Sequence, residues 1–375
     1  MKKLTEKLRA CPLFTGATAL LLALAVACCA APAREKSEME NRRLARQTAP
    51  DVSGVLSGKW MQSAENALAD QFPLRDEMML LNALKETAAL RTEHSGVLRL
   101  TGGRLVPDCA VLDTAAAVRA AEALAEIRTA LDLPVTLLLA PLSSRLYLDA
   151  LPAGYVPADQ AALTDAVVAA CGDQITVLDC FDALAAQPDA EALFYRTDHH
   201  WKADGARCAY EQLCAAWGLA PATPSGRLYA PGFYGSAYAR APQPLVSADT
   251  LTFDRFDSVV YAIDGAEMDG LWDADALGAR DKYAALLYGN PARATLTSET
   301  GTGALLVLKD SYANALLPAV ATHFARTEVV DLRYFNGDLA EIAKETEVEK
   351  VLCIYGMNTF LTDRSLALVA ASFEN

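Results

Sequence analysis

Two segments of the sequence carry side chains whose types and spacing suit joint chemistry. The first is the string 197–201, Thr-Asp-His-His-Trp, which follows a short apolar piece and precedes a predicted helix. Residues two apart on extended backbone point to the same side, so Asp198 and His200 are predicted to share one side and His199 to turn away. A carboxylate beside an imidazole fixes its tautomer and stabilises its protonated form, which suits a general base with its orienting group. Polar capping of the following helix is the alternative role of this string.

The second segment places a serine at the end of an apolar strand. Residues 305–308 are Leu-Leu-Val-Leu and lead through Lys309 and Asp310 to Ser311, where a helix is predicted to begin. Ligands of open α/β sheets bind at the carboxyl ends of strands, and N–H groups at a helix start favour an oxyanion. Ser311 is therefore a candidate nucleophile, although serine is also a common helix N-cap. Together the two segments supply a nucleophile, a base and an orienting carboxylate, as acyl transfer requires.

An oxyanion intermediate also needs N–H donors near the nucleophile. The backbone N–H of Ser311 is the natural first donor. Candidates for the second are the side-chain amide of Asn358, which follows the predicted strand 351–355, and a backbone group near Gly235. An ordinary turn beside Gly356 is the alternative role of Asn358.

Three further side chains are candidates for contacting the substrate. Arg333 and Tyr334 follow the predicted strand 328–332 and are of types that bind sugars or carboxylates. A surface role is the alternative for both. Tyr312, directly after Ser311, is the third candidate.

Neither a metal nor another cofactor is predicted. The letters Asp-His-His also occur in the metal-binding string of the DHH phosphoesterases, which need further ligands on other strands. Only His94 and His323 remain here, neither in a metal-like context, and no C-x-x-C pair exists for a thiolate zinc site. A net charge of −14 also excludes a nucleic-acid partner, because binding phosphates needs clustered Lys and Arg.

Alternating strands and helices must position these residues. Continuous apolar strands separated by amphipathic helices indicate an α/β fold with a mostly parallel sheet flanked by helices. Predicted strands are 135–140, 175–179, 305–308, 328–332 and 351–355, and predicted helices are 114–131, 158–170, 313–324 and 338–345. Residues 221–300, rich in Pro, Gly, Tyr and Asp, are predicted to form an irregular or antiparallel insertion.

The N-terminus is predicted to direct the chain out of the cytoplasm. Lysines and an arginine at positions 2, 3, 7 and 9 precede an uncharged stretch that reaches residue 33. This pattern is typical of a signal peptide, and its length also allows a membrane anchor. Residues 34–58 are predicted to be a polar stalk, and residues 59–375 the α/β domain. Six cysteines lie beyond the signal, and either disulfides at 171–180 and 208–214 or buried free thiols are predicted.

The string 198–201 resembles the signature after which the DHHW family of bacterial exported proteins is named. That family resembles the alginate O-acetylation proteins, whose domain is SGNH-hydrolase-like. The similarity extends over most of the chain after the signal, through six segments in the same order. They are Glu40-Asn41-Arg42-Arg43-Leu44, Asp70-Gln71-Phe72-Pro73-Leu74-Arg75, Asp198-His199-His200-Trp201, Phe233-Tyr234-Gly235-Ser236, Lys309-Asp310-Ser311 and Asp331-Leu332-Arg333-Tyr334-Phe335.

The resemblance implies an extracytoplasmic SGNH-like O-acyltransferase or esterase that acts on acetyl groups of a cell-surface polysaccharide. Carried over residue by residue, the relatives' Asp-x-His pair and later serine become Asp198, His200 and Ser311. A membrane partner that exports the acyl group is also implied. Lys309 departs from the pattern, because SGNH enzymes often keep a glycine there, and a long side chain is expected to crowd the serine. A non-catalytic polysaccharide-binding or assembly protein of the same fold is the alternative.

Overall fold

The computed structural model describes residues 12–373, which divide into two compact units. The first unit comprises the described chain up to Arg91 together with Pro242–Pro244. The second comprises Thr92–Ala241 and the described chain from Leu245 onward.

The first unit is mainly helical. It contains α1 (Pro12–Ala30), β1 (Lys36–Ser37), β2 (Arg42–Arg43), α2 (Val52–Leu56), α3 (Lys59–Asp70) and α4 (Arg75–Ala88). Among residues 12–373, no helix combines the length and the apolar character that crossing a bilayer requires. The basic residues at positions 2, 3, 7 and 9 lie outside the described residues, so the signal or anchor stays a prediction.

Two of the family-like segments meet within this first unit. Arg42 of β2 donates two hydrogen bonds to the carboxylate of Asp70, at 2.6 and 2.8 Å. Arg75, at the start of α4, forms an ion pair with Glu40. The backbone N–H of Ala45 donates to Asp70 at 2.8 Å, and the hydrogen bonds from Arg42 lower the pKa of Asp70 to about 2. These contacts fasten the entry segment to the helices.

The second unit is built on an eight-stranded sheet. The strands of the whole unit, including those of two smaller sheets, are β3 (Glu93–His94), β4 (Val97–Arg99), β5 (Leu105–Pro107), β6 (Val135–Ala140), β7 (Ile175–Asp179), β8 (Gly226–Phe233), β9 (Asp249–Arg255), β10 (Val259–Ile263), β11 (Ala266–Glu267), β12 (Arg293–Ser298), β13 (Ala304–Lys309), β14 (Arg326–Val330) and β15 (Lys350–Gly356). Its α-helices are α5 (Thr114–Leu131), α6 (Gln160–Cys171), α7 (Phe181–Ala185), α8 (Ala203–Trp217), α9 (Ser236–Arg240), α10 (Leu317–Ala321), α11 (Leu339–Glu345), α12 (Met357–Thr362) and α13 (Ser365–Ser372).

The order of the large sheet is β11-β10-β12-β14-β13-β15-β6-β7. Strands β14, β13, β15, β6 and β7 run parallel, and β10, β11 and β12 extend the sheet antiparallel. Strand β15 lies between β13 and β6. The connection from β13 leads away from β15 on one side, to β14, and the connection from β6 leads away on the other side, to β7. Loops after β13, β15 and β6 therefore diverge around a crevice, the usual ligand position in such sheets.

Side chains alternate between two buried clusters on opposite faces of this sheet. Leu138 of β6 and Val307 of β13 pack with α8 in one cluster. Leu137 and Leu308, one position along, pack with α5 and α6 in the other. Both faces are thus buried, and the predicted mostly parallel sheet flanked by helices is confirmed.

Most predicted elements of the sheet are present, with one clear error. The predicted helix 114–131 and strand 135–140 have the observed bounds of α5 and β6. The helix predicted over 313–324 is wrong, because Ser311–Ala315 is a 3-10 turn and α10 covers only Leu317–Ala321. Pro318 at the start of α10 has no N–H to donate to the carbonyl four residues earlier, which prevents a continuous helix.

The cysteines of the second unit are thiols. Cys109, Cys171, Cys180, Cys208, Cys214 and Cys353 are all free. All are buried except the partly buried Cys208. Of the two alternatives in the sequence, the structure therefore has free thiols and not the 171–180 and 208–214 disulfides.

Candidate active site

The structure brings Ser311, His200 and Asp198 into one chain of hydrogen bonds. The Oγ of Ser311 lies 2.8 Å from Nε2 of His200, and Nδ1 of His200 lies 2.5 Å from Oδ1 of Asp198. Asp198 and His200 are buried, whereas Ser311 is partly exposed. This is the geometry in which an imidazole can take a proton from a hydroxyl while a carboxylate orients its ring.

The Asp-His-His-Trp string forms a bent loop that closes on itself. Phe194 and Trp201 pair across its base, and the N–H of His200 folds back to Oδ1 of Asp198 at 2.8 Å. The prediction that His199 turns away is wrong because the backbone is not extended here. The rings of His199 and His200 have centroids 3.8 Å apart.

Trp201 and Tyr312 join this loop to the serine loop. The indole Nε1 of Trp201 donates to the carbonyl of Tyr312 at 3.0 Å, and the hydroxyl of Tyr312 donates to the carbonyl of His199 at 2.5 Å. Both side chains are almost completely buried. Tyr312 therefore holds two loops together, and its predicted role as a substrate contact is wrong.

The carboxylate of Asp198 is anchored by the start of α9. The N–H of Ser236 donates to its Oδ2 at 2.6 Å. Position 235 requires a glycine because Asp198 lies against its backbone: a Cβ there would be 2.1 Å from the same oxygen. The N–H of Gly235 donates to Oγ1 of Thr197 at 3.2 Å. Its predicted role as an oxyanion donor is wrong because that N–H is buried and already bonded.

Charge in the loop is concentrated on Asp198. Burial acts to raise the pKa of Asp198, but the charges of His200 and His199 outweigh it and hold the pKa below its usual value. Burial lowers the pKa of His199 to about 4, and the charge of His200 acts in the same direction. At neutral pH, Asp198 is therefore an anion beside a neutral His199, and its charge is available to stabilise a protonated His200.

Asp310 fixes the position of the serine. Its carboxylate accepts the N–H of Tyr312 at 2.8 Å and the N–H of Gly356, at the end of β15, also at 2.8 Å. Burial raises the pKa of Asp310. Within residues 12–373 the N–H of Ser311 donates to no protein group, as expected of an oxyanion donor.

Tyr283 is a member of the site that sequence reasoning missed. Its ring stacks on His200, with centroids 3.8 Å apart and planes 5° from parallel. Its hydroxyl donates to the carbonyl of Ser311 at 3.0 Å. Tyr283 comes from the region predicted as an insertion, where no motif or periodicity marks one tyrosine above another.

Lys309 does not point at the serine hydroxyl. Its Nζ donates to the side-chain oxygens of Asn290 and Asn314, each at 2.7 Å, and the side chain is buried. Burial lowers the pKa of Lys309 to about 8. The predicted crowding of Ser311 is therefore wrong, because strand geometry turns this side chain elsewhere.

A cleft of about 310 Å3 lies beside His199, and residues that follow β6 and β15, Leu142 and Asn358, contribute to its lining. Asn358, in the first turn of α12, is exposed and lines it, so its amide stays a candidate oxyanion donor. The full lining is Val97, Pro107, Leu142, His199, Ser236, Ala237, Arg240 and Asn358. His199 lines the cleft, and its Nδ1 is hydrogen-bonded to Oγ of Ser236 at 2.5 Å.

Arg333 and Tyr334 lie elsewhere. The guanidinium of Arg333 donates to Asp331 at 2.6 and 2.8 Å and sits 5.4 Å from the ring centre of Tyr334. Neither residue is among those that line the cleft. Their contacts favour the surface role over the substrate role.

The side-chain ligand atoms of Asp198, His199 and His200 lie within 4.8 Å of one another, as a metal site would require. Both ring nitrogens of His200 are already hydrogen-bonded, to Asp198 and Ser311. A metal could bind His200 only by breaking that chain, so the residues fit proton transfer better than metal binding.

The comparisons with known proteins concern the fold. Residues 110–227 match the family model of the SGNH hydrolase-like domain of the acetyltransferase AlgX. The chain has an SGNH hydrolase-like fold. The resemblance predicted from the motifs is thereby confirmed. No curated protein sequence matches the chain.

Two solved structures share this fold at low sequence identity. A DHHW family protein from Eubacterium siraeum is 19% identical, with a TM-score of 0.62 over 74% of this chain and 96% of that one. PatB1 of Bacillus cereus, solved with a sulfonyl adduct, is 18% identical, with a TM-score of 0.58 over 70% of this chain and 95% of that one.

Proposed function

We propose that this chain is an extracytoplasmic, serine-dependent O-acyltransferase or esterase acting on acetyl groups of a cell-surface polysaccharide. The observation that carries the proposal is the unbroken chain from Ser311 through His200 to Asp198. A buried carboxylate and imidazole aligned on a partly exposed hydroxyl have a direct use in nucleophilic acyl transfer.

In the proposed first step, Ser311 Oγ attacks the acyl carbonyl carbon while its proton passes to Nε2 of His200. The tetrahedral oxyanion is stabilised by the N–H of Ser311, with the amide of Asn358 as the second donor. The intermediate collapses, the donor's oxygen leaves with the proton from His200, and an acyl ester remains on Ser311. A sugar hydroxyl or water then attacks this ester by the same steps in reverse.

The cellular setting is part of the proposal. The charged and apolar pattern at the N-terminus supports export or attachment to the membrane. An enzyme working there has no cytoplasmic acyl donor at hand, so we propose a membrane partner that exports the acyl group. The match to the SGNH hydrolase-like domain of the acetyltransferase AlgX supports acyl chemistry at the level of the fold.

The test uses the full chain with 4-nitrophenyl acetate as acyl donor. We expect Ser311→Ala and His200→Ala each to lower the rate of nitrophenol release at least about a thousandfold, because each removes one member of a cooperative unit. The matched control is Ser372→Ala, which removes an exposed hydroxyl at the end of α13.

A second readout does not depend on turnover. Methanesulfonyl fluoride should add one sulfonyl group to the wild-type chain by intact mass, and none to the Ser311→Ala variant. Equal rates in all variants together with equal labelling would favour a non-catalytic polysaccharide-binding or assembly protein.

A further inference from the structure

The cleft beside His199 has one arginine in its lining and no carboxylate. Arg240, the last residue of α9, is exposed and lines the cleft. Within residues 12–373 no carboxylate pairs with its guanidinium. An unpaired arginine is notable in a chain whose net charge is −14, because acidic partners are abundant on such a surface.

Arg240 shares the cleft with His199, the neighbour of the base His200. Its Nη1 lies over the turn at Gly96, where an added Cβ would be 3.9 Å away. It is also close enough to His199 to help lower the pKa of that residue, after burial and the charge of His200. His199 in turn stacks beside His200, the partner of Ser311.

Nothing in the cleft lining opposes a negative ligand. The carboxylate of Asp198 is buried, does not line the cleft, and accepts hydrogen bonds from His200 and from the N–H of Ser236. Asn358 supplies an uncharged amide on another wall of the cleft. A guanidinium presents two parallel N–H groups, which match a carboxylate or a phosphate.

We propose that Arg240 is a specificity-determining residue that binds an anionic group, a carboxylate or a phosphate, on the sugar that accepts the acyl group. This inference rests on the proposed function. In the transfer step, an acceptor hydroxyl attacks the carbonyl carbon of acyl-Ser311 and gives its proton to His200. The bond from that carbon to Ser311 Oγ then breaks, and Oγ takes the proton. Arg240 holds the anion of the same sugar chain and so brings the hydroxyl to the ester.

The test is binding of small saccharides to the full chain carrying Ser311→Ala, measured by calorimetry. The probes are trigalacturonate for carboxylates, a glycerol-phosphate oligomer for phosphates, and cellotriose as the neutral control. We expect at least one anionic probe to bind about tenfold more tightly than cellotriose, as one charge-assisted pair provides. Which of the two binds identifies the chemistry of the anion.

Variants of Arg240 decide whether this residue is responsible. Arg240→Gln should abolish the preference for the anionic probe, and Arg240→Lys should keep part of it. Arg119→Gln, at an exposed position on α5, is the matched control and should keep all of it. With Arg240 unchanged, 0.5 M salt should weaken the preference for the anionic probe, because salt screens the attraction between the two charges. Equal binding of charged and neutral probes, or a preference that survives Arg240→Gln, would overturn the inference.

Failure of this inference can be told apart from failure of the proposed function. Binding requires no reaction at Ser311, so an Arg240-dependent preference without Ser311-dependent ester cleavage would refute the enzyme proposal alone. Ester cleavage that depends on Ser311, without any Arg240-dependent preference, would refute the anion site alone.

Discussion

The imidazole of His200 is held on three sides by groups from distant parts of the chain. Asp198 fixes Nδ1, Ser311 occupies Nε2, and the ring of Tyr283 covers one face. A ring restrained in this way needs no rotation before it can accept a proton. Pre-set geometry of this kind lowers the entropic part of an activation barrier.

Tyr283 is predicted to be a positioning residue. Replacing it by Leu removes the stacked ring and the hydrogen bond to Ser311, and we expect kcat for 4-nitrophenyl acetate to fall about a hundredfold with KM little changed. Tyr283→Phe keeps the ring and should recover most of the loss.

Steady-state kinetics on folded protein, with melting temperatures in parallel, checks this prediction. A role in stability alone would lower the melting temperature and leave kcat per folded molecule unchanged. That result, or a Phe variant no better than Leu, would contradict the positioning role.

At the scale of elements, the site is assembled where parallel strands end. Ser311 follows β13, and Gly356 ends β15. Asp310, next to Ser311, links the two strand ends because its carboxylate accepts the N–H of Gly356. Gly356 is needed for this close approach, since a Cβ there would lie 2.3 Å from the ring of Tyr312. The strand ends thus determine where the nucleophile lies, and the side chains orient it.

The contact between β2 and α3 predicts a pH dependence in the first unit. The pKa of Asp70 is about 2 in the folded chain against an ordinary 3.8. The folded state holds its proton less tightly, so the stabilisation, about 2 kcal/mol, is present above pH 3.8 and is lost as the pH falls towards 2. Asp70→Asn should remove this stabilisation at neutral pH.

Hydrogen-exchange protection of residues 59–70, corrected for intrinsic rates, measures this effect. Glu65→Gln, on an exposed position of α3, is the matched control and should leave protection and its pH dependence unchanged. Protection that is identical in Asp70→Asn and wild type between pH 5 and pH 2 would contradict the prediction.

At the scale of the whole molecule, the two buried clusters of the second unit are held by packing, and the six cysteines described in that unit form no disulfide. The two clusters on either face of the sheet contain the buried thiols, among them Cys180 and Cys353. We therefore expect dithiothreitol to leave the melting temperature unchanged. Loss of a native disulfide would instead cost about 2 to 5 kcal/mol and several degrees.

Thiol labelling of the native chain provides the second measurement. Among the cysteines of the second unit, iodoacetamide should modify the partly exposed Cys208 much faster than the buried Cys353. Both should react equally once the chain is unfolded. A melting temperature that falls with reductant would contradict the prediction.

Local patterns in the sequence predicted most elements of the sheet, but not all the contacts around Ser311, His200 and Asp198. Helix periodicity over 114–131 predicted α5 to the residue. The apolar run over 135–140 predicted β6 to the residue, because a strand buried on both faces is apolar throughout. The prediction of one helix over 313–324 was wrong because Pro318 interrupts it. The prediction that Lys309 crowds Ser311 was also wrong, because the direction of a strand side chain depends on its neighbours in the folded chain.

By itself, the sequence determined which residues were available for chemistry, an Asp-x-His pair and a serine at a strand end, and that a parallel sheet would carry them. These features are local, since they depend on residue type, spacing and periodicity. Only the tertiary structure decided that Ser311 meets His200 across 111 positions of chain, and that Tyr283 covers the ring. Such contacts depend on how strands are ordered in the sheet, which no short window of sequence contains.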